Sequence, residues 1–499
     1  MRPAREGFVS RHYGLCALLV LALMACNVFL GLATSSINDF DEARYGVSAF
    51  EMQQNRGFLV TTYAEKKELW ALKPPLGYWL MALSFSLLGG SALAMRLPSA
   101  LCALATVAVT MYWARRRLNP QLAIVSGLIV ATTFGFLSNH GARSGDFDAC
   151  LTLILLLAAV RLPRLAESQW TVVGLALLLA CGFLLKSFAI LPLVLVAVSY
   201  ALWSGAWRRQ RLVAGLAAIG LFGAIVGGWA FARWRADGSP DFLLRMLRED
   251  VLERSTSIVD KSTSSPFGYV TALFDRFAPW PLLMAVAAGV AIRAGLLRQH
   301  RRSGILALLA IWVVVPLTVV SLVRTQHHWY LDPIYPALAM LAAGGALLLV
   351  ERSPGRLRKL ALIGFVALPL ALCEARVLAR VLIKERMPDD QRFLCALKPS
   401  STSGCREVWS SFKLANSERF ILEVVDGFEV IEPSAGKPAA QAQQPAERFP
   451  VAACLLVGKS AWRRPLAPTA GRLPARGLLL AENESYALYG RANVRGSAP

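Results

Sequence analysis

Long apolar runs recur along most of this chain, and they constrain its fold more than any other feature. Runs of roughly 16–24 residues follow one another from Leu15 to Leu382, and each is long enough to cross a bilayer core of about 30 Å. Hydrophobic residues make up 56% of the 499 residues and charged residues 17%, a balance that is rare in soluble proteins. The sequence therefore predicts an all-α multispan membrane protein, in which the first run is an anchor and not a cleaved signal peptide.

Short arginine-rich clusters between the runs predict how the chain is oriented. Basic residues in short loops mark the cytoplasmic side of a membrane protein. Placing every cluster in the cytoplasm leaves the N-terminus inside and the C-terminus outside. The net charge of +21 lies mainly in these clusters, so we exclude nucleic acid as a partner. The orientation gives about eleven spans, at 14–34, 95–114, 120–139, 149–164, 170–186, 188–204, 211–232, 280–297, 303–323, 330–350 and 359–382.

One apolar segment, 75–90, does not fit this arrangement. Counting it as a span would move every later arginine cluster to the outer side, so we predict a helix on or dipping into the outer leaflet. Tyr78 and Trp79 within it favour an interfacial position. The outer face then comprises 35–94, 140–148, the junction at Lys186, 233–279, 324–329 and the tail from 384.

The tail, residues 384–499, is more polar than the transmembrane domain, 1–383, and we predict a small α/β domain on the outer side. A linker rich in Pro, Gln and Ala occupies 434–448. Cys395 and Cys405 have a spacing that would allow a disulfide to close a loop. The cysteines within the apolar runs are interpreted as small core residues, and the absence of a CxxC pair argues against a zinc ribbon.

The stretch 38-NDFDEARYGVSAF-50 places charged residues directly after the first run. Asp41 and Arg44 are three residues apart and would share one face of a helix. A carboxylate beside an arginine can act as a base or orient a hydroxyl, while the guanidinium binds an anion. Glu42 and Tyr45 are further candidate contacts. The alternative is that Asp39 or Asp41 caps a helix.

Lys73 lies on the outer side together with Lys66 and Lys67, against the orientation rule. Two prolines follow it and favour an extended backbone. We predict that Lys73 binds the phosphate of a lipid; the alternative is that these lysines snorkel to lipid headgroups.

Three later outer segments carry the remaining candidates. In 140-HGARSGDFDAC-150, Asp146 and Asp148 either join Asp41 on one substrate or bind a divalent cation, unless one of them caps the next span. Lys186 ends a span on the outer face, where it is suited to bind phosphate or simply complements the helix dipole. The segment 324-RTQHHWYLDPIYPAL-338 supplies Arg324, His327 and His328 as phosphate contacts or metal ligands.

Three motifs in a fixed order, 41-DEARY-45, 73-KPPLGYWL-80 and 95-MRLPSAL-101, resemble the aminoarabinose transferase branch of the GT-C glycosyltransferases. They resemble protein O-mannosyltransferases more distantly. Weaker similarity extends over about residues 10–350. The resemblance implies a fold of 11–13 transmembrane helices with periplasmic juxtamembrane helices. It also implies transfer of a sugar from a polyprenyl-phosphate donor to an acceptor on the periplasmic face of the bacterial inner membrane. That acceptor is a phosphate of lipid A in the best-known branch, or another envelope glycan.

Matched by position, the resemblance makes Asp41 and Asp148 the acidic catalytic residues. The same match implies that the donor phosphate contacts Arg44, Lys73 and Lys186. The glutamate that precedes Lys-Pro-Pro in the family, where it is linked to metal coordination, is Leu72 here. The resemblance therefore leaves open whether a divalent cation, zinc or magnesium, binds to this chain. Two further departures, Leu185-Lys186-Ser187 and Gln326-His327-His328, indicate that the sugar or the acceptor differs.

Two other functions fit the residues. A protein O-glycosyltransferase would use the same kind of donor. A lipid or sugar transporter would bury ionisable residues in the middle of its spans, but here the polar residues collect at the outer ends. The expected partners are thus the donor, a lipid or glycan acceptor and the surrounding membrane lipids.

Overall fold

The computed structural model describes residues 8–68, 72–138, 140–208, 212–258, 265, 267–295, 304–399, 405–432, 453–459 and 477–491. The linker expected at 434–448 lies outside the described residues, as do the basic residues at 2, 5, 209, 211, 298, 301 and 302.

Helices make up most of the described chain up to residue 395, which confirms the multispan helical prediction. The longer ones are Tyr13–Phe29, Asp41–Asn55, Leu76–Leu88, Ala92–Arg117, Pro120–Ala131, Asp148–Ala159, Gln169–Lys186, Leu191–Ser204, Leu212–Asp237, Trp280–Arg293, Gly304–Leu322, Tyr335–Arg352 and Leu368–Ala379. Shorter ones are Phe8–Arg11, Phe134–Leu137, Asp241–Leu247, Arg254–Thr256, Gly268–Arg276, Arg358–Leu362, Asp389–Cys395 and Asn416–Phe420.

Six helical stretches of the described chain are long and apolar enough to cross a membrane. A pair bent by 102°, Gly268–Arg276 with Trp280–Arg293, adds a seventh if it is taken as one span. This number is below the eleven predicted because the spans expected at 170–186 and 188–204 form one continuous stretch, Gln169–Ser204, and several other expected spans are short. Pro120–Ala131 and Asp148–Ala159 have 12 residues each, or about 18 Å of helix.

The segment predicted to lie in the outer leaflet forms the helix Leu76–Leu88. Its 13 residues span about 20 Å, less than a bilayer core. Tyr78 and Phe85 on one side are buried, whereas Leu83 and Leu87 on the other are 57% and 73% exposed. The helix therefore has one face available to lipid, and its interfacial position stays a prediction.

The tail folds around a five-stranded sheet. Its strands are β3 Glu407–Ser410, β4 Glu429–Ile431, β5 Ala453–Gly458, β6 Gly477–Glu482 and β7 Tyr486–Arg491, and they lie in the order β4-β3-β5-β7-β6. A separate hairpin in the first outer loop pairs β1 Thr62–Tyr63 with β2 Lys66–Lys67. Strand β3 runs parallel to both β4 and β5, and β7 is antiparallel to β5 and β6. A small mixed domain was predicted for the tail, and this sheet confirms it.

The expected disulfide between Cys395 and Cys405 is wrong. Cys405 instead bonds Cys454, and their Cα atoms are 5.8 Å apart. The reason is strand pairing, because Val408 on β3 lies opposite Cys454 on β5, which brings the segment just before β3 beside that strand. Cys395 ends its helix as a free thiol.

The tail packs directly on the first outer loop. The Phe420 ring lies so close to Gly46 that a Cβ there would meet it at 2.6 Å, so this helix contact requires glycine. Asp39 accepts hydrogen bonds from the backbone N and Oγ of Ser417, at 3.0 and 3.1 Å. Tyr63 donates a hydrogen bond to Asn416. These contacts hold the loop that carries Asp41 against the tail.

Candidate active site

A cavity of about 700 Å³ lies where the helices that begin at Asp41 and Asp148 meet the end of the helix at Lys186. Its wall divides into a polar and an apolar part. The polar part comprises Asp41, Tyr45, Lys73, His140, Asp148, Lys186, Asp250, Arg254 and His327. The apolar part includes Leu151, Leu155, Phe188, Leu191, Val196, Trp312, Pro316 and Val320. Such a cavity offers charged groups and an apolar surface to the same ligand.

Two lysines of the polar part are held by carboxylates. Lys73 Nζ lies 2.6 Å from Asp250 Oδ1, and Lys186 Nζ lies 2.6 Å from both oxygens of Asp148. Burial alone would raise the pKa of Asp250, but Lys73 and Ser187 outweigh it, so the pKa lies below its ordinary value. The two ion pairs therefore hold both lysines at the cavity wall.

A third cation, Arg254, belongs to the outer segment 233–279. Its Nη1 donates a hydrogen bond to Tyr330 at 2.9 Å, and its Nε lies 3.8 Å from Asp250. Our sequence reasoning missed both Asp250 and Arg254. The segment 245-RMLREDVLER-254 did hold a signal, because Asp250 and Arg254 are four residues apart and would share a helical face. The segment has many other charged residues, however, and this spacing did not single out the pair.

Asp41, His140 and Asp146 converge next to these ion pairs. One donor atom from each lies within 4.8 Å of the others, so the predicted meeting of two acidic loops takes place. Burial, followed by the charge of Asp146, raises the pKa of Asp41. Burial opposes the charged form of His140, yet Asp146 outweighs it and the pKa of His140 rises to about 9. The imidazolium in turn keeps the pKa of Asp146 low against its burial.

Aromatic rings fix the position of His140. Its ring stacks on Trp329 with centroids 3.7 Å apart, and His327 stacks with the same indole at 4.2 Å. Burial and the nearby Arg254 lower the pKa of His327 to about 4, so it is neutral at pH 7. His328 makes an edge contact with Trp329, but it is not among the residues that line the described cavity.

Glu42 was predicted to contact substrate or metal, and the structure gives it another position. It is 1% exposed and forms an ion pair with Arg96, with Oε1 2.6 Å from Nε. Its oxygens also accept hydrogen bonds from the backbone N–H groups of Asn38 and Gly145. Glu42 thus ties the segment before Asp41 to the segment before Asp146, and it is not among the described residues that line the cavity.

Arg44 and Arg324 also lie apart from the described cavity lining. Arg44 makes a bidentate ion pair with Glu68, at 2.6 and 2.8 Å, and its guanidinium covers the ring of Tyr63. Arg324 is exposed beyond the end of its helix. The predicted cap is wrong for Asp39, because the first outer-loop helix has no side-chain cap and the Asp39 carboxylate binds Ser417 instead.

Leu72 does not fit the metal position that the resemblance implies. It is 3% exposed and packs in an apolar cluster with Leu184, Trp229, Phe242 and Met246. An aliphatic side chain in such a cluster has no atom to offer a metal. A divalent cation in this chain would need other ligands, and Asp41, His140 and Asp146 supply two carboxylates and an imidazole.

The comparisons agree with this fold. Residues 72–229 match the family model described as dolichyl-phosphate-mannose-protein mannosyltransferase. The structure of ArnT from Cupriavidus metallidurans bound to undecaprenyl phosphate superposes with a TM-score of 0.71, at 16% identity, over 98% of this chain and 100% of that one. The chain thus has the fold of that ArnT structure.

In sequence the chain is similar to the aminoarabinose transferases, as its motifs predicted. It is 28% identical over 334 residues to undecaprenyl phosphate-alpha-4-amino-4-deoxy-L-arabinose arabinosyl transferase 1 of Pseudomonas fluorescens strain Pf0-1, which covers 64% of this chain. It is 29% identical over 373 residues to the transferase of the same name from a second strain, which covers 71%. The matches span 56% and 64% of the lengths of these two relatives.

Proposed function

We propose that the protein transfers a sugar from a polyprenyl-phosphate-linked donor to an acceptor on the periplasmic side of the bacterial inner membrane. One observation carries the proposal: a single cavity joins three cationic side chains, from Lys73, Lys186 and Arg254, to an apolar wall. A polyprenyl phosphate has the matching parts, an anionic head and a hydrocarbon tail.

The chemistry of the transfer assigns roles to the charged residues. Breaking the bond to the anomeric carbon creates an oxocarbenium-like centre and builds negative charge on the departing phosphate. Fixed cations at Lys73, Lys186 and Arg254 stabilise that charge. Asp250 and Asp148 keep the two lysines in place until a phosphate competes for them.

Asp41 is the residue proposed to act on the acceptor. Its raised pKa brings a carboxylate closer to the range in which it accepts a proton efficiently. For a hydroxyl acceptor it serves as the base. For a phosphate acceptor, which is already anionic, it orients the attacking group.

The favoured acceptor is a phosphate of lipid A, and the names of the Pseudomonas relatives support an aminopentose as the sugar. The match to the family model of a protein mannosyltransferase supports a second candidate acceptor, a protein hydroxyl. Transfer to either acceptor would use a lipid-phosphate-linked sugar. Mass spectrometry of lipid A and of periplasmic glycoproteins, with and without this gene, separates the two. Loss of a pentose or hexosamine from lipid A is expected. Unchanged lipid A together with loss of a protein-linked sugar would replace the first acceptor by the second.

A further inference from the structure

Three arginines surround one aromatic ring near the predicted periplasmic end of the apolar helical stretch Gly355–Lys384. The guanidinium carbon of Arg376 lies 4.0 Å from the centroid of the Phe134 ring. Those of Arg276 and Arg380 each lie 5.4 Å from the same centroid, so all three cations interact with this ring. We propose that the three arginines form a second anion site, which binds a phosphate group of the acceptor lipid.

The arginine cluster carries more positive than negative charge. Each of its carboxylates is shared by two guanidiniums, Asp275 by Arg276 and Arg376 at 3.0 and 2.7 Å, and Glu385 by Arg143 and Arg380 at 2.8 and 2.7 Å. Four guanidiniums thus share two carboxylates, and like charges so close together repel one another. A phosphate would reduce this repulsion, and the planar guanidinium can bind it through two N–H groups.

A ligand can reach the cluster from outside the protein. The side chains of Arg376 and Asp275 are 40% and 57% exposed, and an ion pair exposed to this degree contributes little to stability. A phosphate can therefore displace Asp275 from Arg376 at a small cost. The inner part of the cluster is fixed more firmly, because the buried Arg143 donates hydrogen bonds to backbone carbonyls at the end of the Tyr13–Phe29 helix and also binds Glu385.

The helix Leu368–Ala379 indicates that the phosphate belongs to a lipid. Leu368, Leu372 and Arg376 follow one another at intervals of four residues and so lie on one face of this helix. The two leucines are 53% and 57% exposed on a stretch that is apolar enough to cross a membrane, so this face contacts hydrocarbon. A lipid whose phosphate binds Arg376 can place an acyl chain along both leucines.

The position of the cluster beside the cavity indicates that this lipid is the acceptor. Arg276 Nη1 donates a hydrogen bond to Ser138 Oγ at 3.2 Å, and Ser138 is two residues from His140, which lines the cavity. None of the three arginines is among the described residues of that lining, so the donor phosphate in the cavity leaves them available. The identity of the lipid as the acceptor rests on the proposed function, whereas the phosphate site does not.

Lipid binding to the full-length protein in detergent tests the proposal. Native mass spectrometry gives dissociation constants for lipid A with two phosphates, for undecaprenyl phosphate and for phosphatidylglycerol. Arg376→Gln should raise the constant for lipid A about tenfold and leave that for undecaprenyl phosphate unchanged. Asp275→Asn should lower the constant for lipid A about threefold, because it releases two guanidiniums. In a transfer assay, Arg376→Gln should raise KM for the acceptor and leave kcat near the native value.

Arg358→Gln is the matched control, since Arg358 is an exposed arginine near the opposite end of the same helical stretch, and it should bind lipid A as the native protein does. Native affinity for lipid A in Arg376→Gln would overturn the proposal, as would weaker binding by Asp275→Asn. An equal loss of affinity for phosphatidylglycerol would overturn it too, because the site would then accept any anionic membrane lipid. If Arg376→Gln does not fold, Asp275→Asn still decides the question. Failure of the native protein to bind undecaprenyl phosphate would count against the proposed function and not against this site.

Discussion

Lys73 and Asp250 are 177 residues apart in the chain and form an ion pair of 2.6 Å at the cavity wall. The same carboxylate accepts a hydrogen bond from Ser187 and lies near Arg254. Asp250 therefore connects two outer segments with the junction that follows Lys186. A phosphate that enters the cavity must compete with Asp250 for Lys73, so the pair holds the lysine in position before the donor binds.

Lys73→Ala should weaken donor binding. The substitution removes a cation from the polar wall, and a charge-assisted contact to phosphate contributes about 1.5–3 kcal/mol. We expect at least a tenfold higher dissociation constant for undecaprenyl phosphate and a larger loss of sugar transfer in membrane vesicles. Lys66→Ala, on the exposed strand β2, is the control and should behave as the native protein. Native binding by the Lys73 variant would remove this residue from the site.

Asp41→Asn should lower the rate of sugar transfer. The loss is at least a hundredfold for a hydroxyl acceptor, which is the usual size of a general-base contribution, and smaller for a phosphate acceptor, which Asp41 only orients. Donor binding should change little, because the cations remain. Turnover with saturating donor, together with thermal stability in detergent, separates lost chemistry from lost fold. Asp39→Asn retains an oxygen that can bind Ser417 and should keep near-native turnover. Full activity of the Asp41 variant would exclude a catalytic role.

The sequence predicted the parts of the site that depend on the order of residues along the chain. The motifs around Asp41, Lys73 and Asp148 do line one cavity, because topology alone places their segments on the same face. The residue with which a charged side chain pairs depends on packing between distant segments, and the sequence does not reveal it. Arg44 looks like an anion ligand beside Asp41, yet Glu68, 24 residues later, binds it in the fold.

The fold was predictable in class and less so in detail. Apolar runs identify helices, but a run does not show where a helix stops. Thr132 and Thr133 donate hydrogen bonds to carbonyls at the end of the Pro120–Ala131 helix, so the helix ends there although the apolar run continues through Phe134–Leu137. The pairing of Cys405 with Cys454 likewise depends on the register of β3 and β5, which no cysteine spacing reveals.

Asp39→Ala should loosen the tail from the first outer loop. The carboxylate accepts two hydrogen bonds from Ser417. Without them, Asn416, Tyr63 and the apolar packing of Phe420 still connect the tail to the loop. We expect faster proteolytic release of the tail and a several-fold lower transfer rate, because Asp41 lies two residues away. Asp39→Asn should preserve the native digestion rate. Identical digestion of Asp39→Ala would show that the docking does not depend on this residue.

Glu42→Gln should destabilise the protein without a specific effect on catalysis. Removing one charge of a buried ion pair leaves Arg96 uncompensated, at a cost of about 3–5 kcal/mol. The expected observation is a lower melting temperature and reduced yield of folded protein, with near-native donor affinity in the fraction that folds. Glu65→Gln, at an exposed position, is the control. Loss of donor binding in a Glu42 variant of native stability would show instead that Glu42 belongs to the donor-binding site.

Asp426 should make the stability of the tail depend on pH. The residue is 8% exposed, and among the described residues neither carboxylate oxygen has a hydrogen-bond partner. Burial raises the pKa of Asp426 from 3.8 to about 8, with Lys398 acting in the opposite direction. It also follows a helical segment, where a negative charge opposes the dipole.

The direction of the pH effect on stability follows from the difference between the pKa of Asp426 in the folded and unfolded states. Below the ordinary pKa of 3.8 the carboxyl is neutral in both folded and unfolded states. As the pH rises towards about 8, the unfolded chain ionises freely while the folded chain resists, so the contribution to folding stability is lost. Asp426→Asn removes this ionisation. We expect the variant to melt about 3 °C or more above the native protein at pH 9 and close to it at pH 4. Asp389→Asn, whose side chain is 84% exposed in the native protein, should show no such difference, and an equal shift for Asp426→Asn at both pH values would contradict the assignment.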